Sequence, residues 1–155
     1  MSNVESLYQE IILDHYKHPR GSGPLADAAG ESFQVNPTCG DEVTVGVKLD
    51  DAGHLHIGYE GQGCSISQAS ASVMSELLED ATLEQMAEAE RAFLEMMHSK
   101  GAGEPDEEAL GDGIAFAGVS KYPARIKCAL LPWMALQDAR LKAGIDVDKT
   151  TTNQA

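Results

Sequence analysis

From Val43 to Leu49 apolar side chains alternate without a break, Val43, Val45, Val47 and Leu49 standing against Thr44, Gly46 and Lys48. A period of two is that of a half-buried strand, so one face of a sheet has to be covered by other parts of the chain. Asp50-Asp51-Ala52-Gly53 is turn chemistry, because Gly53 can take a positive φ. Leu55, Ile57 and Tyr59 alternate on the return. A short strand over 31–36, joined to the second through Asn36–Asp41, completes a β meander.

Segments of helical period supply the cover. Val4, Leu7, Ile11, Ile12 and His15 share a helical spacing over 3–17, and His18-Pro19-Arg20-Gly21 stops that helix because the residue before a proline disfavours helical backbone. Residues 21–30 are rich in Gly and Ala and read as a loop. Ile66, Ala69, Val73 and Leu77 form a stripe over 65–79. Thr82 with Gln85 forms a capping-box signal for a helix reaching about His98. Residues 99–106 break the pattern, and 106–118 read as a short helix and a loop. The last helix runs from about Pro123, a residue suited to a first helical position, to Lys142, with Pro132 expected to kink it. The polar stretch after Gly144 reads as a frayed tail. A helix, then strands, then helices is the pattern of an α+β fold with helices packed on one face of a small antiparallel sheet. No repeat or second domain is visible, so residues 1–145 are expected to form a single domain and 146–155 a flexible tail.

The chain has 155 residues, 43% hydrophobic and 23% charged, enough for one compact core. Its formal net charge of −14 would repel duplex nucleic acid and anionic membranes, and favours a partner with a basic docking surface. No apolar run is long enough to span a membrane, and the opening residues lack the pattern of a secretory signal. Three cysteines, none in a close pair, argue against a disulfide framework and for a reducing, cytoplasmic setting.

Free cysteines in such a setting are core thiols, nucleophiles or metal ligands. Cys39-Gly40-Asp41 sits in the loop between the first two strands, where Gly40 lets the backbone turn so that Cys39 and Asp41 can point to one centre. Cys64 follows Gly61-Gln62-Gly63 and opens a helix, where free amide donors and the helix dipole favour a thiolate; it could equally fill a core gap. Cys128 lies in the last helix, three residues after Arg125 and next to Lys127, and on the stripe of Leu131 and Ala135 it could also be a core residue. Taken together, three thiols and a carboxylate are a donor set that zinc accepts tetrahedrally. Arg125 and Lys127 would offset the negative charge of such a centre. The spacing does not match a zinc ribbon. The five histidines read as capping or surface residues, and no phosphate loop, nucleophile elbow or HExxH motif is present.

Asn36-Pro37-Thr38-Cys39-Gly40-Asp41, Gly61-Gln62-Gly63-Cys64-Ser65-Ile66-Ser67-Gln68-Ala69-Ser70 and Asp14-His15-Tyr16-Lys17-His18-Pro19-Arg20 together resemble the iron–sulfur scaffold family that includes IscU and the amino-terminal part of NifU, over nearly the whole chain. Two features resemble its SufU branch. Lys127 stands where IscU-type proteins have a histidine before the last cysteine, and residues 99–120 look like an insertion between Cys64 and Cys128. The resemblance implies a three-stranded antiparallel sheet, zinc held by Cys39, Asp41, Cys64 and Cys128, and partnership with a SufS-type cysteine desulfurase, a pyridoxal-phosphate enzyme. It implies that Cys39 accepts the persulfide sulfur, with the partner replacing one zinc ligand by its own histidine, and that Arg125 serves docking and activation. The activity implied is that of a sulfurtransferase-like partner rather than a stand-alone enzyme; other Suf assembly proteins or apo client proteins are further partners. The alternative is a scaffold on which a [2Fe–2S] or [4Fe–4S] cluster is assembled at the same ligands and passed to apo-proteins; Lys127, a poor ligand while protonated, weighs against it. A third is an adaptor with purely structural zinc.

Overall fold

The computed structural model describes residues 3–102 and 105–145. The tail expected over 146–155 lies outside the described residues, as does part of the pattern break at 99–106. A helix α1 (Asn3–Lys17) precedes three strands, β1 (Gly30–Asn36), β2 (Asp41–Leu49) and β3 (Leu55–Gln62). Helices α2 (Ser65–Leu78), α3 (Leu83–His98) and α4 (Glu107–Leu110), a 3-10 helix (Gly111–Lys121) and α5 (Pro123–Lys142) follow. The strands form one antiparallel sheet in the order β1-β2-β3, the meander expected from the alternation.

The register sets the buried face. Val45 pairs with Ser32 on one side and Tyr59 on the other, and Val47 with Gly30 and Ile57. These side chains meet α5, which packs across β1 and β2, and α2, which packs on β3. Gly30 marks the closest approach of α5, since a Cβ there would fall 2.2 Å from the Ala139 carbonyl oxygen. The opposite face is covered too, near its centre. Gly46 and Gly58 are register partners, and a Cβ on Gly58 would lie 2.7 Å from the Leu25 nitrogen. The segment 21–29 therefore lies directly on the sheet, tied by Gly23 N–H to the Tyr59 carbonyl at 2.7 Å and Ala29 N–H to the Val47 carbonyl at 2.8 Å.

The helices differ from their expected stripes in instructive ways. In α1 the buried face carries Ile12 and His15, with Tyr8 packed against the core, whereas Val4 and Leu7 are more than half exposed. Helix α2 is buried nearly all round. Its Ser67, Ala69, Ser70, Ala71, Ser72 and Ser75 are small enough to admit α1, α5 and the sheet at close range, and Ser70 links α2 to α5 by donating to the Ala129 carbonyl at 2.6 Å. The capping box of Thr82 and Gln85 opens α3 as expected. Residues 111–118, read as a loop, belong instead to the 3-10 helix. Leu110, Gly113, Phe116 and Val119 are all buried, and side chains three apart eclipse on a helix of three residues per turn. Helix α5 runs through Pro132 as one element. At the core Trp133 stacks on Phe93 with ring centroids 4.6 Å apart, and Phe116 meets Phe93 edge-on. No helix among the described residues is long and apolar enough to cross a membrane.

The β2–β3 turn is anchored to the end of α2 by charge. Asp50 accepts from the backbone N–H groups of Ala52 and His54, and His56 places one ring nitrogen 2.8 Å from Asp50 and the other 2.6 Å from Glu79. Each ring nitrogen faces a carboxylate, and the Glu79 and Asp50 carboxylates raise the pKa of the imidazole. The backbone N–H of His54, followed by the His56 side chain, lowers Asp50 to about 2. A raised histidine contributes stability that is complete below its unfolded value and is lost as pH rises through the folded value. A lowered aspartate contributes stability present above its unfolded value and lost as pH falls toward about 2. Urea unfolding followed from pH 5 to 9 is therefore expected to show stability declining above the ordinary histidine range. His56→Gln is expected to flatten that decline; an unchanged pH profile in the variant would contradict the assignment.

Candidate metal centre

Asn36 closes β1 and Asp41 opens β2, and the two are register partners. The four residues between them turn back through Gly40, whose φ is +74° and whose N–H donates to the Asn36 carbonyl at 2.8 Å. Cys39 is thereby held at the outside of the turn, exposed. Asn36 fixes the loop from within. Its Oδ1 accepts from Thr38 N–H, and its Nδ2 lies 3.7 Å from Cys39 Sγ and 4.0 Å from Cys128 Sγ.

Asp41 is buried and faces the start of α2. Its Oδ1 accepts from Cys64 N–H at 2.8 Å, and its Oδ2 lies 3.4 Å from Cys64 Sγ. This carboxylate meets the amide that opens the helix, where the free donors and the positive end of the dipole favour it. Only glycine fits before Cys64, because a Cβ on Gly63 would sit 2.3 Å from Asp41 Oδ1. Cys128, on the second turn of α5, is 4% exposed, and its Sγ lies 3.6 Å from Cys39 Sγ. Ligand atoms of Cys39, Asp41 and Cys128 all fall within 4.8 Å of one another, and Cys64 joins them through Asp41.

Cys39, Asp41 and Cys128 are spaced to share a tetrahedral zinc ion, while Cys64 lies outside their 4.8 Å group and is near it only through Asp41. Zn–S bonds of about 2.3 Å place two sulfurs about 3.8 Å apart, and a sulfur and an oxygen about 3.5 Å apart. The corresponding separations here are 3.6 Å and 3.4 Å. Burial pushes the Cys128 thiol well above the ordinary range, reinforced by Asp41 and the neighbouring sulfurs. A cation among these donors would reverse that preference by stabilising the thiolates.

Arg125 and Lys127 are the cations expected to offset the charge of the centre. Both are exposed, neither makes an ion pair with Asp41 among the described residues, and the Arg125 guanidinium lies over the Tyr122 ring, 5.5 Å from its centroid. Arg125 and Tyr122 edge an apolar groove of about 350 Å³ between α1, the 3-10 helix and the start of α5, with Ile12, Ile66 and Val119 in its wall. The polar helper that sequence reasoning missed is Asn36; its place at the strand end beside the Cys39 motif was the available signal. His15 also departs from expectation, being fully buried rather than a surface or capping residue.

Comparison with known proteins agrees with this geometry. The model of the NifU-like N-terminal domain matches residues 7–129. The zinc-dependent sulfurtransferase SufU of Bacillus subtilis strain 168 is 44% identical over 137 residues, 88% of this chain and 90% of that protein. The iron–sulfur cluster assembly scaffold protein IscU of Streptococcus pyogenes serotype M1 is 37% identical, with 90% and 86% covered. Among solved structures, the NifU-like amino-terminal protein of Brucella abortus superposes with a TM-score of 0.79 at 28% identity, covering 92% of this chain and 98% of its own. The SUF-system scaffold protein of Fervidobacterium islandicum AW-1 gives a TM-score of 0.75 at 37% identity, covering 87% and 97%. The chain belongs to the NifU-like N-terminal domain family, the iron–sulfur cluster assembly proteins of the SufU and IscU type.

Proposed function

We propose that this chain is a zinc-dependent sulfur acceptor that takes persulfide sulfur from a SufS-type cysteine desulfurase in the cytoplasm. Residues 1–145 act as one domain, with 99–120 as its insertion. Cys39, Asp41, Cys64 and Cys128 hold the zinc, which when bound keeps the three thiols deprotonated at neutral pH. The observation carrying the reading is a difference in exposure within one cluster. Asp41 and Cys128 are buried, Cys64 is intermediate, and Cys39 stands exposed on its hairpin turn. A partner's persulfide can therefore approach Cys39 first. The Cys39 thiolate attacks the terminal sulfur of the partner's cysteine persulfide; a new S–S bond forms on Cys39, the partner's S–S bond breaks, and the partner's cysteine leaves as a thiolate. Asn36 and the turn at Gly40 orient Cys39 for this approach. Arg125 and Tyr122, at the rim of the neighbouring groove, serve docking.

The second reading is a scaffold for cluster assembly on the same donors, the role named for the Streptococcus relative. Lys127 is exposed and adds no ligand to the three thiols and one carboxylate. The two readings separate in one experiment. Added to a SufS-type desulfurase with cysteine, the zinc-loaded chain is expected to raise the rate of alanine release. An unchanged rate, together with a reconstituted cluster that transfers to an apo-protein, would favour the scaffold.

A further inference from the structure

Asn36 is a polar side chain only 7% exposed, and it points into the thiol cluster. The loop itself settles which way its amide lies. Oδ1 accepts from Thr38 N–H at 3.2 Å, so the oxygen end is fixed on the loop and the NH2 end faces the sulfurs. Nδ2 is 3.7 Å from Cys39 Sγ and 4.0 Å from Cys128 Sγ. The backbone of Asn36 is held as firmly. It pairs with Asp41 in the ladder, and its carbonyl accepts from the N–H groups of Cys39 and Gly40.

A side-chain amide has two N–H donors and carries no charge. Two sulfurs 3.6 Å apart stand before this one, a proton for each. Among the described residues no other N–H lies within hydrogen-bond distance of either sulfur. Cys64 N–H is taken by Asp41, and the remaining contact of Cys128 Sγ is the Ala124 carbonyl. Cys64 Sγ has the Ser67 hydroxyl and Asp41 beside it and no amide. Three thiolates and a carboxylate exceed the charge of a divalent ion, and the Arg125 guanidinium is engaged over the Tyr122 ring. The work of a cation near the sulfurs falls to a neutral donor, and hydrogen bonds to charged acceptors are the strong ones.

We propose that Asn36 is a positioning residue for sulfur transfer, its side-chain amide donating one N–H to Cys39 and the other to Cys128. This inference rests on the sulfur-acceptor reading. Cys39 is exposed and Cys128 is 4% exposed beneath it, so the amide holds the Cys39 sulfur from the protein side and leaves its outer side open. Sulfur arriving there bonds to Cys39 Sγ as the partner's S–S bond breaks and the partner's cysteine leaves as a thiolate. The amide protons stay on nitrogen throughout. Asn36 acts by holding the reacting sulfur in place before the reaction, with no rearrangement during it.

Asn36→Ser separates the donor from the loop anchor. A serine hydroxyl accepts from the N–H two residues on, as asparagine does, but stops short of the sulfurs. Asn36→Leu removes both contacts. The full chain loaded with Co(II) in place of zinc is read by its thiolate-to-cobalt charge-transfer band, and the zinc-loaded chain by desulfurase stimulation against chain concentration. Both variants are expected to move the band to lower energy, because a thiolate without a donor gives up an electron more easily. Maximal stimulation is expected to fall about fivefold, the worth of one ordinary hydrogen bond, with the half-maximal concentration unchanged. A band at the parent's position in Asn36→Ser, or the parent's maximal rate in that variant, would make Asn36 a loop anchor only and overturn the proposal. A check on the parent needs no variant. In the zinc-loaded chain the Asn36 side-chain amide protons are expected downfield of free asparagine and slow to exchange with water; signals at the free position would also overturn it. A parent that gives no stimulation would sink the sulfur-acceptor reading instead, and the cobalt band would still decide whether Asn36 donates.

Discussion

Cys39→Ala is expected to return the desulfurase to the rate it shows alone, while the variant still binds it. Alanine removes the nucleophile and leaves the turn intact, since the loop is held by Asn36 and Gly40 backbone bonds that do not use the thiol. Neither remaining cysteine replaces it. Cys128 is 4% exposed beneath the loop, and Cys64 is turned toward Asp41 with its sulfur 3.4 Å from the carboxylate. Alanine release measures the loss, and co-elution of the variant with the desulfurase checks that docking survives. Stimulation equal to the parent's would remove Cys39 from the role of acceptor.

The second large effect concerns stability. Trp133→Ala is expected to cost about 3–5 kcal/mol, the range for truncating a buried large aromatic side chain. Trp133 is 2% exposed, stacked on Phe93 at 4.6 Å, and donates from Nε1 to Ser70 at 3.2 Å. Its loss opens a cavity where α2, α3 and α5 meet and leaves Ser70 with one partner fewer. Urea unfolding reads the change as a lower midpoint at similar slope. Trp133→Phe keeps most of the ring and is expected to cost clearly less. If alanine cost no more than a surface substitution, the core described here would be wrong. The effect bears on the metal centre, because Cys64 begins α2 and Cys128 lies on α5, and the Trp133–Ser70 contact fastens those helices together.

Much of this was legible in the chain. The alternation at 43–49 and 55–59, the capping box at Thr82 and the proline at 123 each express a local rule, and each element formed where its rule placed it. Local rules also explain the departures. The 3-10 segment had a signal, buried residues every third position, but glycines at 111, 113 and 118 look like loop. Gly46 and Gly58 read as weak strand positions, and only the segment 21–29 lying against them shows their purpose. His15 matched a helix-end histidine because its partners, Ser72 and Asp112, are 57 and 97 residues away. The candidate metal donors pose the same problem. Cys39 and Cys128 are 89 residues apart, and no spacing rule joins them; it was the resemblance of whole motifs that named the set. Asn36 was visible in that motif, yet its contact with two sulfurs follows only from the strand pairing.

The account depends on four side chains gathering around one divalent ion. X-ray absorption at the zinc edge, on protein purified without added chelator, tests this most directly. One zinc per chain is expected, with three sulfurs at about 2.3 Å and one oxygen at about 2.0–2.2 Å. Protein that retains no zinc after incubation with it, or a shell with fewer than three sulfurs, would contradict the account.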